Sequence, residues 1–74
     1  MELYFYLTAT NIGVKTLPNG MFQISFDTQQ GKGAWNFRSE TKVKKVLSEL
    51  IRNNEVRVYS FGPDFKPNFQ KPRV

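Results

Sequence analysis

One segment of this chain carries the period of a helix, and no other does. Val43, Val46, Leu47, Leu50 and Ile51 recur at the i, i+3, i+4, i+7, i+8 spacing of a single apolar stripe, which an α-helix turns into one buried face. Lys45 and Arg52 fall nearly opposite that stripe, with Lys42 and Lys44 flanking it. Ser39 or Thr41 stands where a side-chain oxygen can cap the helix start, and Asn53 and Asn54 suit the left-handed conformation that ends a helix. A chain with one such rod can roof only one face of whatever else it builds.

The remainder alternates. In "ELYFYLTAT", Leu3, Phe5 and Leu7 share one face and Tyr4, Tyr6 and Thr8 the other. In "MFQISFD", Phe22, Ile24 and Phe26 oppose Gln23 and Ser25; in "AWNFR", Trp35 and Phe37 oppose Ala34, Asn36 and Arg38; in "EVRVYSF", Val56 and Val58 point inward. Gly13 marks a bend or bulge, Pro18-Asn19-Gly20 a tight turn, and "TQQGKG" a second turn. The predicted order is strand, strand, strand, helix, strand, with room for a further short strand before Pro18. This is an α+β fold, a small antiparallel sheet of three to four strands with one amphipathic helix packed on one face. From Gly62 the composition changes to "GPDFKPNFQKPRV", whose three prolines remove backbone donors and stiffen the chain. Residues 1–61 are therefore expected to form one domain and residues 62–74 an extended, basic, solvated tail. With 74 residues there is chain for one core, and that core stabilises the fold by a thin margin.

Composition narrows the chemistry. Cysteine and histidine are both absent, which removes disulfides, thiolate nucleophiles, the common zinc ligands and the usual general base near neutral pH. "GKG" at 31–33 is followed by a strand, whereas a phosphate-binding loop needs a longer glycine-rich turn and a Lys-Ser or Lys-Thr opening a helix. Glu40 and Glu49 lie nine residues apart on the helix and Asp64 in the tail, so no two acids are brought together for acid–base work. The expectation is a protein that is not an enzyme and uses neither a metal nor a small-molecule cofactor. "MELYFYL" is too short for a secretory core and has neither a basic region nor a small-residue cleavage pattern. No stretch approaches a membrane span. A cytoplasmic protein without a membrane partner is expected.

Net charge is +5, and it is polarised: residues 1–31 sum to −1 and residues 32–74 to +6. Such asymmetry points to an anionic partner, nucleic acid first and an acidic protein or membrane surface next, although surplus lysines also serve solubility. If the helix takes the apolar sheet face, the opposite face holds Tyr4, Tyr6, Gln23, Asn36, Arg38, Arg57 and Tyr59, with Glu55 at its margin. Bases stack on flat side chains at about 1–3 kcal/mol each while arginine and lysine meet phosphates. Tyrosines are also ordinary on exposed sheet faces, where rings pack across strands and hydroxyls stay wet. The helix start adds free amides and a positive dipole end near Lys42, with Lys32, Arg38, Lys44 and Lys45 nearby in sequence, while Glu40 in the first turn offsets the dipole internally. The expected nucleic-acid-binding set is thus Tyr4, Tyr6, Lys32, Asn36, Arg38, Lys42, Lys44, Lys45, Arg57 and Tyr59, acting on single-stranded or structured RNA or DNA. The alternative is a protein-interaction module, an adaptor, inhibitor or regulatory subunit. It would use a sheet edge or face and a tail bearing Phe65, Lys66, Phe69, Lys71 and Arg73, with self-association as a homodimer as one form.

"LYFYL" resembles the aromatic first-strand motif of RNA recognition motif domains, and "KGAWNF" resembles their third-strand motif. That resemblance implies RNA binding, a helix between the first two strands, and Trp35 and Phe37 turned toward the ligand. Alternation places those two rings inward instead, and Gly13 and Pro18 oppose a helix in "TATNIGVKTLPNG". "GKGAWNFRSETKVKK" is similar in outline to the strand-to-helix corner of double-stranded RNA-binding domains, which implies phosphate contacts near Lys42, Lys44 and Lys45, although the first helix of that family has no counterpart here.

Overall fold

Alternating strands tell which residues share a face but not which strands share a sheet, and here they divide between two. The computed structural model describes residues 5–72. Its elements in chain order are β1 Phe5–Thr8, β2 Thr10–Thr16, β3 Phe22–Thr28, β4 Gly31–Phe37, α1 Glu40–Asn53, β5 Glu55–Phe61, a short 3-10 turn Pro63–Phe65, and β6 Pro67–Phe69. They form two antiparallel three-stranded sheets, ordered β1-β5-β6 and β2-β3-β4. The α+β class and the single helix are as expected. The strand count is six instead of three or four, and one sheet has become two.

The division begins at Ala9. The segment "ELYFYLTAT" was expected as one strand, yet Ala9 is buried, with its amide donating to the Asn54 carbonyl at 2.9 Å. That bond ties the chain to the end of α1 and sends β1 to one sheet and β2 to the other. β1 pairs with β5, Phe5 facing Val58 and Leu7 facing Val56 on the inner side, Tyr6 facing Arg57 on the outer. β2 pairs with β3, and a bulge between Thr10 and Gly13 takes up one extra residue. Asn11 sits there in the left-handed region at φ 50° and its side-chain amide donates to Asp27 Oδ2 at 2.9 Å. The turn at 17–21 closes as the sequence suggests: Gly20 adopts φ 83°, its amide donates to the Leu17 carbonyl at 2.9 Å, and Asn19 Oδ1 accepts from the Met21 amide at 3.0 Å.

The helix follows its signals at both ends. Ser39 is the N-cap, with its Oγ accepting from the Lys42 amide at 3.4 Å. Asn54 closes the other end in the left-handed conformation (φ 55°, ψ 29°), donating to the Leu50 carbonyl. Val43, Val46 and Leu50 are buried and Leu47 is half-buried, but Ile51 is 57% exposed. The helix rests on β3 and β4, and Ile51, one residue round the rod from Leu50, overhangs that narrow support. No helix is long and apolar enough to cross a membrane among the described residues.

The two sheets meet through Phe69. Its ring lies edge-on to Phe26 at 5.1 Å between centroids, Phe26 lies 4.7 Å from Trp35, and the Trp35 indole Nε1–H donates to the Phe69 carbonyl at 3.3 Å. Gly33 makes this possible. It pairs with Phe26 on the inner face, and a Cβ there would come within 2.6 Å of both the Phe26 and the Phe69 ring. The segment expected as a solvated tail therefore differs over its described part. Pro67–Phe69 forms β6 against β5, Gln70 extends that ladder by donating to the Arg57 carbonyl at 2.8 Å, and Phe69 packs against the core. Proline does not prevent this, because β6 is an edge strand that needs only part of its amides.

One further bulge shapes the first sheet. Val58 faces Phe69 while Ser60 faces Asn68 and Phe61 faces Pro67, so β5 carries one residue more than β6 near Tyr59. Tyr59 and Ser60 are exposed, and Phe61 returns to the inner side, where its ring stacks on Phe5 at 5.6 Å. Phe5 was expected to be core, yet it stays 42% exposed because neither the helix nor the second sheet reaches that corner. Leu3, also expected in the core, lies outside the described residues.

Gly33→Ala is expected to lower unfolding free energy by about 2–3 kcal/mol through overpacking. Gly13→Ala, whose Cβ would meet nothing closer than Ser25 Oγ at 3.7 Å, should stay within about 0.5 kcal/mol of the parent. Urea midpoints of the two variants provide the check.

Candidate functional site

The start of α1 and the chain after β6 come together at the end of β4. Phe37 ends β4, Arg38 follows exposed to solvent, and Ser39 opens the helix. Lys71 reaches this corner from the C-terminal segment: its Nζ donates to the Asn36 carbonyl at 2.6 Å and sits 4.5 Å from the centre of the Phe37 ring. A positive charge over an aromatic face is attracted to the ring quadrupole, so Lys71 is held, while Arg38 and Lys42 are exposed to solvent. These residues line a cleft of about 540 Å³ with Asn36, Phe37, Ser39 and Pro72. No acidic side chain is among its described lining residues. Glu40, the acid in the first turn, turns to Lys44, 3.5 Å away on the next turn of the exposed side. Glu40 still offsets part of the helix dipole from the first turn, but it is not among the cleft-lining residues, where Arg38, Lys42 and Lys71 supply the charge.

A second cleft, about 710 Å³, lies between the C-terminal half of α1 and β5. Tyr6, Glu49, Asn53, Glu55 and Arg57 line it, and Lys71 and Pro72 form the wall shared with the first. Its charge is mixed. Glu49 is already engaged, accepting from Arg52 and, at 3.4 Å, from the Asn53 side chain. Arg57 is half-buried with its Nε shielded from solvent, and it pairs across the strands with Tyr6. Tyr6 and Tyr59 are each 56% exposed on that outer side.

The expected site residues are thus brought together only in part. The single tyrosine-bearing face was inferred for one sheet, and the two-sheet arrangement splits it. Tyr6, Arg57 and Tyr59 stand on the outer side of β1-β5-β6, whereas Gln23 and Asn36 pair on the outer side of β3-β4, with Gln23 Nε2 donating to Asn36 Oδ1 at 3.2 Å. Lys32 faces Asp27, about 17 Å of extended strand before Phe37, and does not join the cleft. Lys44 is paired with Glu40, and Lys45 is exposed on the helix. Tyr4 and Arg73 lie outside the described residues.

Among the tail residues, Phe65 is 85% exposed at the tip between β5 and β6, with Lys66 exposed beside it. Phe69, expected to be a free anchor, is instead packed inside. Lys71, expected to act with the tail, belongs with the helix start. Nothing in the local sequence signals that contact, since its partner Asn36 is 35 residues away. Trp35 and Phe37 are 7% and 5% exposed, facing the core and not the ligand side that the RNA recognition motif resemblance implied. Among the described residues no group of three or more aspartate, glutamate, histidine or cysteine side chains is placed to hold a metal ion.

No protein-family model, no curated protein and no solved structure matches this chain.

Ser39→Ala should lower stability by about 0.5–1 kcal/mol, since the cap bond is long and exposed, and Ser39→Asp should retain the cap. Chemical denaturation of the three proteins side by side measures this.

Proposed function

We propose that this chain is a small non-enzymatic nucleic-acid-binding module. The observation that carries the reading is the acid-free cleft in which Arg38, Lys42 and Lys71 converge on the start of α1. Cations and helix-start amides are the groups that meet phosphate oxygens. Lys71 and Pro72 also border the cleft containing Tyr6 and Arg57, so a strand whose phosphates lie along the first cleft passes directly to an aromatic side chain. Tyr6 and Tyr59 then serve as stacking platforms, with Arg57 beside them. Stacking needs bases that are not already paired, which favours a single strand or the open loop of a structured one. Lys45, on the exposed side of the helix, adds long-range attraction without a fixed contact.

A second reading, a protein-interaction module, draws on Phe65. Asp64 and Phe65 both adopt left-handed backbone, at φ 60° and 57°, and the phenyl ring is the most exposed large apolar group described. Non-glycine residues held there cost on the order of 1–3 kcal/mol each, and a ring presented at that cost is an anchor suited to an apolar pocket on a partner.

Neutralising about three phosphates on a single strand should give a slope of roughly −2 for log affinity against log salt. Arg38→Ala or Lys42→Ala should make that slope shallower by about 0.7, while Tyr59→Ala should weaken binding by about 1–3 kcal/mol without changing the slope. Fluorescence anisotropy with a labelled single-stranded oligonucleotide reads all three. Absence of binding at low salt, or affinity indifferent to salt, contradicts the proposal. Binding to a protein partner that is lost in Phe65→Ala, with oligonucleotide affinity absent, favours the second reading.

A further inference from the structure

Two three-stranded sheets present four outer edges, and three of these are closed. The edge of β2 carries the Asn11 bulge and Lys15. The edge of β4 is met by the C-terminal segment, where Lys71 donates to the Asn36 carbonyl. β6 is only three residues long and begins with Pro67. Bulges, lysines, prolines, short length and covering segments are the devices that keep sheet edges from pairing with other chains. β1, four residues long, is short as well, but among the described residues it has no bulge, lysine, proline or covering segment. Phe5–Thr8 reads FYLT, with no charge, proline or glycine, and among the described residues it pairs with β5 alone. Half of its backbone donors and acceptors point away from β5, toward solvent.

We infer that β1 pairs antiparallel with β1 of a second copy of this chain, joining the two small sheets into one of six strands, β6-β5-β1-β1-β5-β6. The sequence of the strand selects a second copy over an unrelated strand. In an antiparallel pair, directly opposed residues share a face, so a two-fold axis placed at Tyr6 sets Tyr6 against Tyr6 and Phe5 against Leu7 of the second copy. Read in either direction the core of the strand is apolar, tyrosine, apolar, which makes that register self-complementary. It also brings Leu7 of the second copy beside Phe5, the ring that the chain's own core leaves 42% exposed against Phe61 at 47%. β1 has no charged side chain, so two chains of net charge +5 meet there without a like-charge contact at the seam. Glu55 and Arg57 stand one strand back with opposite signs. The contact is short, below the ~1,200 Å² of a standard interface, and the dimer is accordingly concentration-dependent. The two Tyr6 rings lie side by side across the axis on the outer side, with their outward faces open, and Tyr59 stands clear of the seam. This inference stands independently of the nucleic-acid reading.

Sedimentation velocity over a dilution series of the full chain tests it. The parent should pass from dimer to monomer on dilution, and added salt should not weaken the dimer. Tyr6→Lys and Tyr6→Glu each place like charges opposite one another at the axis and should raise the dissociation constant at least about tenfold. An equimolar mixture of the two should restore dimer as a mixed pair. Circular dichroism establishes that both variants are folded. If either is not, cross-strand Hα contacts between Phe5 of one copy and Leu7 of the other, measured by isotope-filtered NMR on the parent, replace the exchange experiment. The Tyr6 amide and carbonyl face the free edge, so Tyr6 meets Tyr6 as a hydrogen-bonded pair and Phe5 meets Leu7 as a closer, non-hydrogen-bonded one. A parent that stays monomeric at millimolar concentration, a dimer untouched by both substitutions, a mixture that does not recover, or a parent dimer without the Phe5–Leu7 contact overturns the inference.

Discussion

The Phe69 ring against Phe26 holds the two sheets together. Each three-stranded sheet has one apolar side, and one helix cannot cover both. α1 takes part of the inner face of β3 and β4, and β6 closes the remainder by inserting Phe69. This closure depends on a missing atom. Gly33 stands opposite Phe26, and the space a Cβ would occupy is filled by the two rings. Trp35 then fixes the backbone of β6 through its indole bond to the Phe69 carbonyl, so the contact has both a packing part and a directional part. Two residues beyond, Lys71 is carried to the end of β4 and completes the corner at the helix start. The cleft is therefore a consequence of how the core is closed and not a separate feature of the surface.

Much of this was legible in the sequence. The helix and its apolar stripe, a cap at Ser39 or Thr41, a left-handed asparagine at 53 or 54, the turn at Pro18-Asn19-Gly20 and the inward faces of β3, β4 and β5 all follow from local rules. The structure contains them, with Ser39 as the cap and Asn54 as the left-handed residue. What local rules could not supply were contacts far apart in the chain. Alternation through Ala9 reads as an unbroken strand, and only the bond from its amide to Asn54 reveals the crossing between sheets. Phe69 sits in a proline-containing segment whose composition suggests solvent. Its burial depends on Gly33, 36 positions earlier in the sequence, and a glycine in a strand signals close approach without naming what approaches. The bulge at Tyr59, likewise, shifts Phe61 to the inner side although a strict two-residue period places it opposite.

The same limits apply to the site. Arg38 and Lys42 were identified from charge and from their place at the helix start, and they do share a cleft. Lys71 joined them only through the fold, while Lys32 left the group because β4 runs its full length between it and the helix. The polarised charge of the chain is thus partly concentrated by folding and partly dispersed. Glu40 stays in the first turn, paired with Lys44 on the exposed side, and is not among the residues that line the cleft. A surface so arranged combines one fixed cation, Lys71, with exposed ones, and the fixed one borders the tyrosine-containing cleft as well.

The central claim is that β6 is an integral part of the core, locked at Trp35, and that it carries Lys71 to the helix start. Hydrogen exchange of the Trp35 indole N–H, followed by NMR in the folded protein, addresses this directly because that proton bridges the two sheets. If the lock is as described, the indole proton exchanges at the slow rate of the most buried amides, such as those of Ile24 and Val46, and opens only with global unfolding. Exchange orders of magnitude faster than those amides, under conditions where they stay protected, would show a segment that detaches by itself, and the account of both the core and the cleft would fail.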